Sequence, residues 1–353
     1  MLKGDMYPKL LAIMAAILFG ASAPAAKLLV GEVQPVMLAA LLYLGCGLGL
    51  FIFRLIQNFV AKPVPKEAGL APHDLPWLMG AIMAGGVAAP IILMFSLRST
   101  PAATASLLLN FETVATSVIA VLVFKEALGK RFWVAVALIT LASVILTWDT
   151  QGAWGLSIGA AGVLLACTFW GLDNNFTRNI SAKDPLSIVT VKGIAAGSVS
   201  LGIAMFTGGG NLPQVNMVLA ALLLGFFSYG ISIVLFIIAM RSLGAARTSG
   251  FFSSAPFAGA VISLLLFREW PGVTFLISLP IMLAGTALIL WEDHLHLHQH
   301  VRIEHEHRHT HDDRHHNHTH NNDGIGEHSH WHVHEELEHQ HPHTPDIHHR
   351  HAH

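Results

Sequence analysis

Charged residues are scarce in this chain: Asp, Glu, Lys and Arg make up 12% of it, whereas 53% is hydrophobic. Soluble domains carry about 25% charged residues, so the composition excludes an ordinary soluble domain and indicates lipid as the main solvent. Cysteine is also scarce, and Cys46 and Cys167 both lie inside apolar runs. Two such cysteines exclude a disulfide framework and a CxxC metal or redox site.

A nucleotide-binding P-loop is missing too, which argues against an ATP-driven pump. The sequence suggests no catalytic constellation, so we expect no enzyme and no required cofactor. We also expect no nucleic-acid partner. A homodimer is an arrangement that the sequence leaves open.

Long apolar runs fill residues 8–291. A membrane-spanning helix needs about 20 mostly apolar residues. The runs therefore predict an all-α integral membrane protein in a lipid bilayer, with ten spans at 8–30, 35–55, 76–97, 101–123, 131–148, 155–177, 185–207, 214–239, 245–267 and 271–291.

Lys and Arg residues near the helix ends predict the orientation, because cytoplasmic loops are enriched in these residues. With a cytoplasmic N-terminus, twelve such cations lie on the inside and three, Lys27, Arg98 and Arg268, on the outside. We therefore predict a multi-pass protein of a bacterial inner (plasma) membrane with a cytoplasmic N-terminus. An even number of spans places the C-terminus in the cytoplasm as well.

An internal repeat divides the membrane region. Residues 98–148 align without gaps to 241–291, so that RSTPAATAS faces RSLGAARTS and AVLVFKEALG faces SLLLFREWPG. Each repeat has five helices, an odd number, so the two copies must have opposite orientations in the membrane. Inverted repeats of this kind are typical of secondary transporters. We predict five-helix repeats at 1–148 and 149–291, followed by a disordered His-rich tail at 292–353.

These features resemble the EamA type of the drug/metabolite transporter superfamily. The resemblance lies in the ten helices, the two repeats, and an acidic residue after the fourth helix of each repeat, Glu126 and Glu269. The segment LLLNFE with a tail ending HPHTPDIHHRHAH resembles a subgroup with His-rich C-termini. The family implies transport of amino acids, metabolites, drugs or phosphorylated sugars, without specifying the substrate. Many members have proline midway along both fourth helices; here Pro256 keeps it, but Thr113 replaces the first.

Glu112 lies near the centre of the fourth span, with Asn110 beside it and Thr116 one turn further on. A charge at this depth costs about 2.5–3.5 kcal/mol on insertion scales, so it normally faces a cavity or a partner. One interpretation is a proton- or cation-linked carboxylate at the substrate site. The other is a protonated glutamic acid hydrogen-bonded inside the bundle.

Four further polar residues are candidates for the transport path. Asp173 and Asn174 either line the inner mouth or end the sixth helix in the headgroup region. Lys192 either extends to the cytoplasmic interface, pairs with Asp173, or binds an anionic substrate. Lys27 either binds a substrate carboxylate near the outer mouth or extends outward to the interface.

The ninth span contributes Ser253 and Ser254 ahead of Pro256. A proline within a helix removes a backbone donor and frees a carbonyl, so it is either a cavity-lining hinge or a passive kink. Tyr229 in the eighth span is an aromatic candidate for the cavity wall, although packing against neighbouring helices is the simpler role.

Histidine is concentrated in the tail, which holds every one of the 24 histidines except His73. Their alternating spacing places them on one face of an extended chain, and imidazole suits Zn, Ni and Co. We expect exchangeable metal binding without a fixed site, with a pH-sensing or purely solvated tail as alternatives. The candidate ligands are His294, His296, His298, His300, His305, His307, His309, His311, His328, His330, His332 and His334.

Three functional hypotheses follow. The first is a secondary transporter that exports a small metabolite or amino-acid-like solute by alternating access. The second is a divalent transition-metal exporter fed by the tail. The third is a membrane-anchored metal sensor or buffer that transports nothing. The first is favoured because the predicted spans contain no histidine, whereas soft-metal transport usually requires nitrogen or sulfur ligands along the path.

Overall fold

The computed structural model describes residues 2–60, 69–124, 129–148, 157–180, 183–207, 213–243, 248, 251–268 and 270–290 of the membrane region. In the tail it describes the backbone of 295–299, 303–309, 328–334 and 338–342.

Five helices form the first repeat. Helix α1 consists of Leu2–Gly20 and Ser22–Leu29, and α2 is Pro35–Val60. A 3₁₀ turn, Pro72–Asp74, precedes α3, which consists of Leu75–Ala81, the π-helical turn Ile82–Ala88 and Ala89–Ser99. The last two are α4, made of Ala102–Leu108 and Phe111–Phe124, and α5, Lys130–Thr147.

Five helices also form the second repeat. They are α6, Ile158–Arg178; α7, Pro185–Phe206; α8, made of Val215–Gly225, the π-helical turn Phe226–Ile231 and Ser232–Leu243; α9, Ala255–Phe267; and α10, Val273–Leu290. Within the described residues, seven helices are long and apolar enough to span a membrane, and α9 and α10 are shorter apolar helices. With the 21-residue α6, the ten-helix prediction is confirmed.

The predicted ninth span, 245–267, is interrupted: Phe251 and Phe252 are helical, and a turn separates them from Ala255–Phe267. The sequence predicts one helix over 245–267 with Pro256 in its interior, but α9 begins at Ala255 after a turn at Ser253–Ser254. Proline lacks a backbone N–H, and the first turn of a helix does not need that donor. Pro256 therefore begins a helix instead of kinking one.

Packing of the helices follows the symmetry of the two repeats. Helices with the same place in each repeat pack together, namely α2 with α7, α4 with α9, and α5 with α10. Helix α1 packs against α8 and α9 of the second repeat, and α6 packs in the same way against α3 and α4 of the first. The two repeats are therefore interlocked, because each contributes its first helix to the other.

Backbone irregularities recur at equivalent positions of the two repeats. The π-helical turns of α3 and α8 coincide when the repeat offset is extended towards the N-terminus, so that Gly85 aligns with Ser228. The turns that interrupt the helical path before Phe111 and before Ala255 coincide as well, with Asn110 aligned to Ser253. Such π-helical turns and tight mid-helix turns occur often at functional sites.

Polar contacts hold the end of α2 and the starts of α3 and α7 together. Asp184 caps α7 by accepting a bond from the Leu186 N–H, 3.1 Å away. It also pairs with Arg54 of α2 at 3.0 Å. Lys183 lies 3.9 Å from the Asp74 carboxylate at the start of α3, and both side chains are largely buried.

The described part of the tail consists of four short strands: β1, Leu295–Gln299; β2, Ile303–His309; β3, His328–His334; and β4, Glu338–Pro342. Strand β1 pairs antiparallel with β4, and β2 with β3. Their extended backbone is the conformation expected from alternating histidines. The sequence predicts disorder throughout 292–353, whereas these four segments have strand conformation in the structure.

Helices α2 and α7 approach closely where Gly47 meets Gly193. A Cβ atom on Gly193 would lie 2.6 Å from the Gly47 nitrogen, whereas one on Gly202 of the same helix would meet no atom within 4 Å. We expect Gly193→Ala to lower the thermal unfolding midpoint in detergent, because overpacking costs about 1–3 kcal/mol. Gly202→Ala should leave it unchanged or raise it slightly. Equal effects of the two substitutions would contradict this packing.

Candidate functional site

The interruption of α4 places Glu112 in the first turn of the segment Phe111–Phe124, at the middle of the membrane region. Hydrogen bonds of the i to i−3 type tighten the chain there, from the Glu112 N–H to the Leu109 carbonyl at 3.1 Å and from Thr113 to Asn110 at 3.2 Å. A helix N-terminus favours nearby negative charge. The local backbone therefore suits a carboxylate at this position.

Helix α6 supplies the partner of that carboxylate. The Asn174 amide donates to Glu112 Oε1 at 2.8 Å and to Thr116 Oγ1 at 3.1 Å. The next residue, Asn175, donates to the Thr116 carbonyl at 3.0 Å. Three of the residues singled out from the sequence thus form one cluster, which we call the α4–α6 cluster: Glu112, Thr116 and Asn174. Asn174 is exposed, and a polar side chain at this depth normally faces water, not lipid.

Asp173 and Lys192 form a largely buried ion pair beside this cluster. The other carboxylate oxygen of Asp173 accepts a bond from the Thr177 hydroxyl at 3.0 Å. Of the three roles considered for Lys192, the structure has pairing with Asp173. Asp173 and Asn174 both lie within α6, so neither residue ends that helix.

The π-helical turn of α3 supports Asp173 from the other side. The Gly85 carbonyl accepts bonds from the Tyr43 hydroxyl at 2.6 Å and from Trp170 Nε1 at 3.1 Å. A Cβ atom on Gly85 would overlap the Asp173 carboxylate. Neither Tyr43 nor this turn is predicted from the sequence, although the adjacent Gly85 and Gly86 in the middle of a span are a signal for the turn.

Tyr229 lies in the equivalent turn of α8 and is buried among aromatic rings. Its ring centroid lies 5.6 Å from that of Tyr43 and 5.9 Å from that of Phe19. Phe19 also contacts Trp170 at 6.4 Å. These rings pack the centre of the bundle between α1, α2, α6 and α8, so Tyr229 has the packing role.

Asn110 does not join the α4–α6 cluster. Its side chain is buried and donates to Thr286 Oγ1 of α10 at 2.9 Å. This bond connects the two repeats and satisfies an amide inside the membrane region.

Lys27 lies in the last turn of α1, beside the end of α3. Its ammonium group donates to the carbonyls of Leu97, Arg98 and Thr100. Cations near a helix C-terminus are favourable because the last carbonyls have no helical partner. Lys27 also lines a cavity of about 220 Å³ with Arg98, Ser99, Thr100, Pro101, Ala102 and Phe267.

Ser253 and Ser254 lie in the turn ahead of α9. Ser254 Oγ donates to the Phe251 carbonyl at 2.6 Å, which closes the turn ahead of α9. Ser253 and Pro256 are buried. Ser253 and Ser254 thus belong to the turn that corresponds to the one before Glu112.

Two short strings match the letters of enzyme motifs, but the fold does not supply the required context. GLSIG, at 155–159, contains Ser157, whose hydroxyl caps α6 at the Ala160 N–H, 3.3 Å away. A nucleophile elbow requires a strand before the serine, whereas the residues described here begin a membrane helix. HEHRH, at 305–309, lies on β2, and an HExxH zinc site requires a helix.

Several predicted residues lie outside the described part of the chain. They include Glu126 and Glu269, and among the tail histidines His294, His300 and His311. The remaining histidine candidates lie on β1, β2 and β3, where the structure describes the backbone alone. Among the side chains that it does describe, no group of three His, Cys, Asp or Glu residues forms a metal cluster.

Comparison with known families agrees with this architecture. The model of the EamA-like transporter family matches residues 6–148 and 157–291, one match in each repeat. The chain belongs to the EamA-like transporter family. The resemblance noted in the sequence is confirmed, and this EamA-like protein is a multi-pass membrane transporter of the drug/metabolite superfamily, not an enzyme. The boundary between repeats at residues 148 and 149 stays a prediction.

Two known proteins are similar to this EamA-like protein, one in sequence and one in fold. An "Uncharacterized transporter" of Methanothermobacter thermautotrophicus (strain ATCC 29096 / DSM 1053 / JCM 10044 / NBRC 100330 / Delta H) is 29% identical over 293 residues, which are 79% of this chain and 85% of that protein. A solved structure described as "Crystal structure of protein" has a TM-score of 0.57 and 17% identity, covering 80% of this chain and 95% of the other. The second likeness concerns the fold alone.

Proposed function

We propose that the protein exports a small metabolite or amino-acid-like solute by alternating access, and that the α4–α6 cluster contacts the solute or its coupling ion. The observation that carries this proposal is the Glu112 carboxylate in the middle of the membrane, held through one oxygen by Asn174. Within the described residues, the second oxygen has no hydrogen-bond partner. A carboxylate at this depth needs a further partner or a proton.

Alternating access is supported by the interlocked packing of the inverted repeats. Helices α1 and α6 each pack against the third and fourth helices of the other repeat. Movement of one repeat against the other therefore shifts α6 relative to α4, and with it Asn174 relative to Glu112. The direction of transport rests on the resemblance to exporters of this family.

We propose that the tail binds Zn, Ni or Co ions and lies in the cytoplasm with the N-terminus. The ladder of β2 and β3 places His305 opposite His332 and His307 opposite His330. Directly opposed residues in an antiparallel pair have Cβ atoms about 4.5–5.5 Å apart, which suits a shared ion. The membrane region has no such cluster among its described side chains. We therefore propose that the metal ions bound by the tail are not the transported solute.

Glu112→Gln tests the transport proposal. Removing the charge while keeping the shape should reduce solute flux at least tenfold in proteoliposomes and flatten its pH dependence, because a glutamine neither exchanges a proton nor pairs with a cation. Glu32→Gln removes a carboxylate from an exposed turn and should leave both unchanged. Unaltered flux and pH dependence in Glu112→Gln would exclude the role assigned to Glu112.

Substitution of paired histidines tests the metal proposal. Changing His305, His307, His330 and His332 to Asn should weaken Zn²⁺ binding to the purified protein, measured by calorimetry, because it removes two opposed pairs. Changing four histidines that are not in the residue ranges of β1 to β4 (His315, His316, His318 and His320) lowers the histidine count equally. Identical losses in the two variants would show that composition, not strand pairing, determines binding.

Accessibility of the tail tests the orientation. An antibody against residues 292–353 should bind inside-out membrane vesicles and not intact spheroplasts, since Lys and Arg residues favour cytoplasmic ends. Binding to intact spheroplasts would reverse the proposed topology.

A further inference from the structure

The cavity beside Lys27 lies where α1, α3 and α9 end and α4 begins. Its volume is about 220 Å³, and its wall includes two cations, Lys27 and Arg98, and two hydroxyl-bearing residues, Ser99 and Thr100. No carboxylate is among its lining residues within the described part of the chain. Sites for drug-sized molecules usually measure about 300–1,000 Å³, so this cavity suits a smaller group of negative charge.

Lys and Arg residues are unevenly distributed between the two ends of the bundle. The sequence places twelve of them near one end and three near the other. Lys27 and Arg98 are two of those three, and both line this cavity. Since cations are ordinarily sparse on one side of a membrane protein, two of them at a single cavity on that side indicate a negative partner there.

Lys27 makes the cavity suitable for an anion by bonding backbone acceptors. Its ammonium group donates to the carbonyls of Leu97, Arg98 and Thr100, the last at 3.0 Å. Carbonyls at the end of a helix carry partial negative charge and would repel an anion. Because Lys27 bonds these carbonyls, that repulsion is reduced and a positive charge is fixed at the cavity wall.

Arg98 supplies the available donors. Its side chain is exposed, and its guanidinium group makes no hydrogen bond or ion pair with the residues that the structure describes. A guanidinium group presents its N–H donors in a planar fork that can bond two oxygens of a phosphate at once. Arg98 can therefore hold a phosphate without first giving up a partner among those residues.

The position of the cavity favours a lipid headgroup over a soluble anion. Lys27 and Arg98 each lie in the last turn of a membrane helix, near the depth of the polar headgroups. Phe95, on the preceding turn of α3, is half-exposed, so an acyl chain can lie against it. Basic pockets between membrane helices bind lipid headgroups in other proteins.

We propose that this cavity binds the phosphate group of a phospholipid, with Arg98 donating to the phosphate oxygens and Lys27 supplying further positive charge. The site is separate from the α4–α6 cluster, and the proposal does not depend on the identity of the transported solute. Inorganic phosphate carries the same chemistry without the acyl chains, so the experiment has to separate the two sources.

The experiment measures thermal stabilisation of the purified full-length protein in detergent as each probe is titrated. The probes are dioleoylphosphatidylglycerol, a glucosyl diacylglycerol with the same acyl chains but no phosphate, and inorganic phosphate. We expect the phospholipid to bind most tightly of the three. Arg98→Gln should weaken its apparent affinity about tenfold to hundredfold, as expected for loss of hydrogen bonds to a charged group. The glycolipid should bind both proteins equally weakly.

Three further variants separate a specific site from surface charge and from support of the backbone. Arg131→Gln removes the same charge from an exposed position in the first turn of α5 and should leave phospholipid binding unchanged. Lys27→Gln should weaken binding, whereas Lys27→Arg keeps the charge and should bind more tightly than Lys27→Gln. If Lys27→Gln fails to fold, the comparison of Arg98→Gln with Arg131→Gln still decides the proposal.

Four results would overturn the proposal. Equal weakening by Arg98→Gln and Arg131→Gln would show non-specific attraction to surface charge. Equal affinity for the phospholipid and the glycolipid would show that the acyl chains alone are bound. Stabilisation by inorganic phosphate that depends on Arg98 and that the phospholipid does not exceed would assign the cavity to a soluble anion. Identical binding by Lys27→Gln and Lys27→Arg would show that the charge of Lys27 has no part in the site.

Discussion

Inside the hydrocarbon region of a bilayer, water is not available to bond a backbone amide or to solvate a charge. Each polar group there needs a partner within the protein. Hydrogen bonds within helices satisfy most of the backbone groups. Where the helical pattern is broken, side chains bond the carbonyl groups instead. The Gly85 carbonyl in the π-helical turn of α3 accepts bonds from Tyr43 and Trp170. The carbonyls where α3 ends accept bonds from Lys27.

The same constraint explains why the irregular turns come in equivalent positions. Each of α3, α4 and α8 departs from regular helix geometry near its middle, and α9 begins at the place where α4 resumes. These helices surround α1 and α6. Each of these two is the first helix of its own repeat and packs against the other repeat. Departures from α-helix geometry are tolerated at such depth where protein, not lipid, surrounds them. The interlocked helices provide that surrounding in both repeats.

Much of the fold could be predicted because apolar length and an exact repeat offset are properties of the sequence alone. The start of α9 could not, since the same Pro256 fits either a kink or a helix start, and the turn at Ser253–Ser254 decides between them. The site was partly predictable. Glu112 and Asn174 were identifiable as polar residues at membrane depth, but their contact depends on which faces of α4 and α6 meet. Asn110, only two residues from Glu112, is buried against Thr286 of α10 instead, because it lies on a different face of α4.

At the α4–α6 cluster the two repeats share the same backbone arrangement but differ in their side chains. The repeat position equivalent to Glu112 is Ala255, and the residue of α1 that corresponds to Asp173 is Ser22. The second crossing, between α1 and α9, therefore lacks the charges present at the first, although its helices pack in the same way. Two states related by the symmetry of the backbone would place this single charged site in different surroundings. A solute held there would meet different neighbours in each state, which is the physical requirement for binding on one side of a membrane and release on the other.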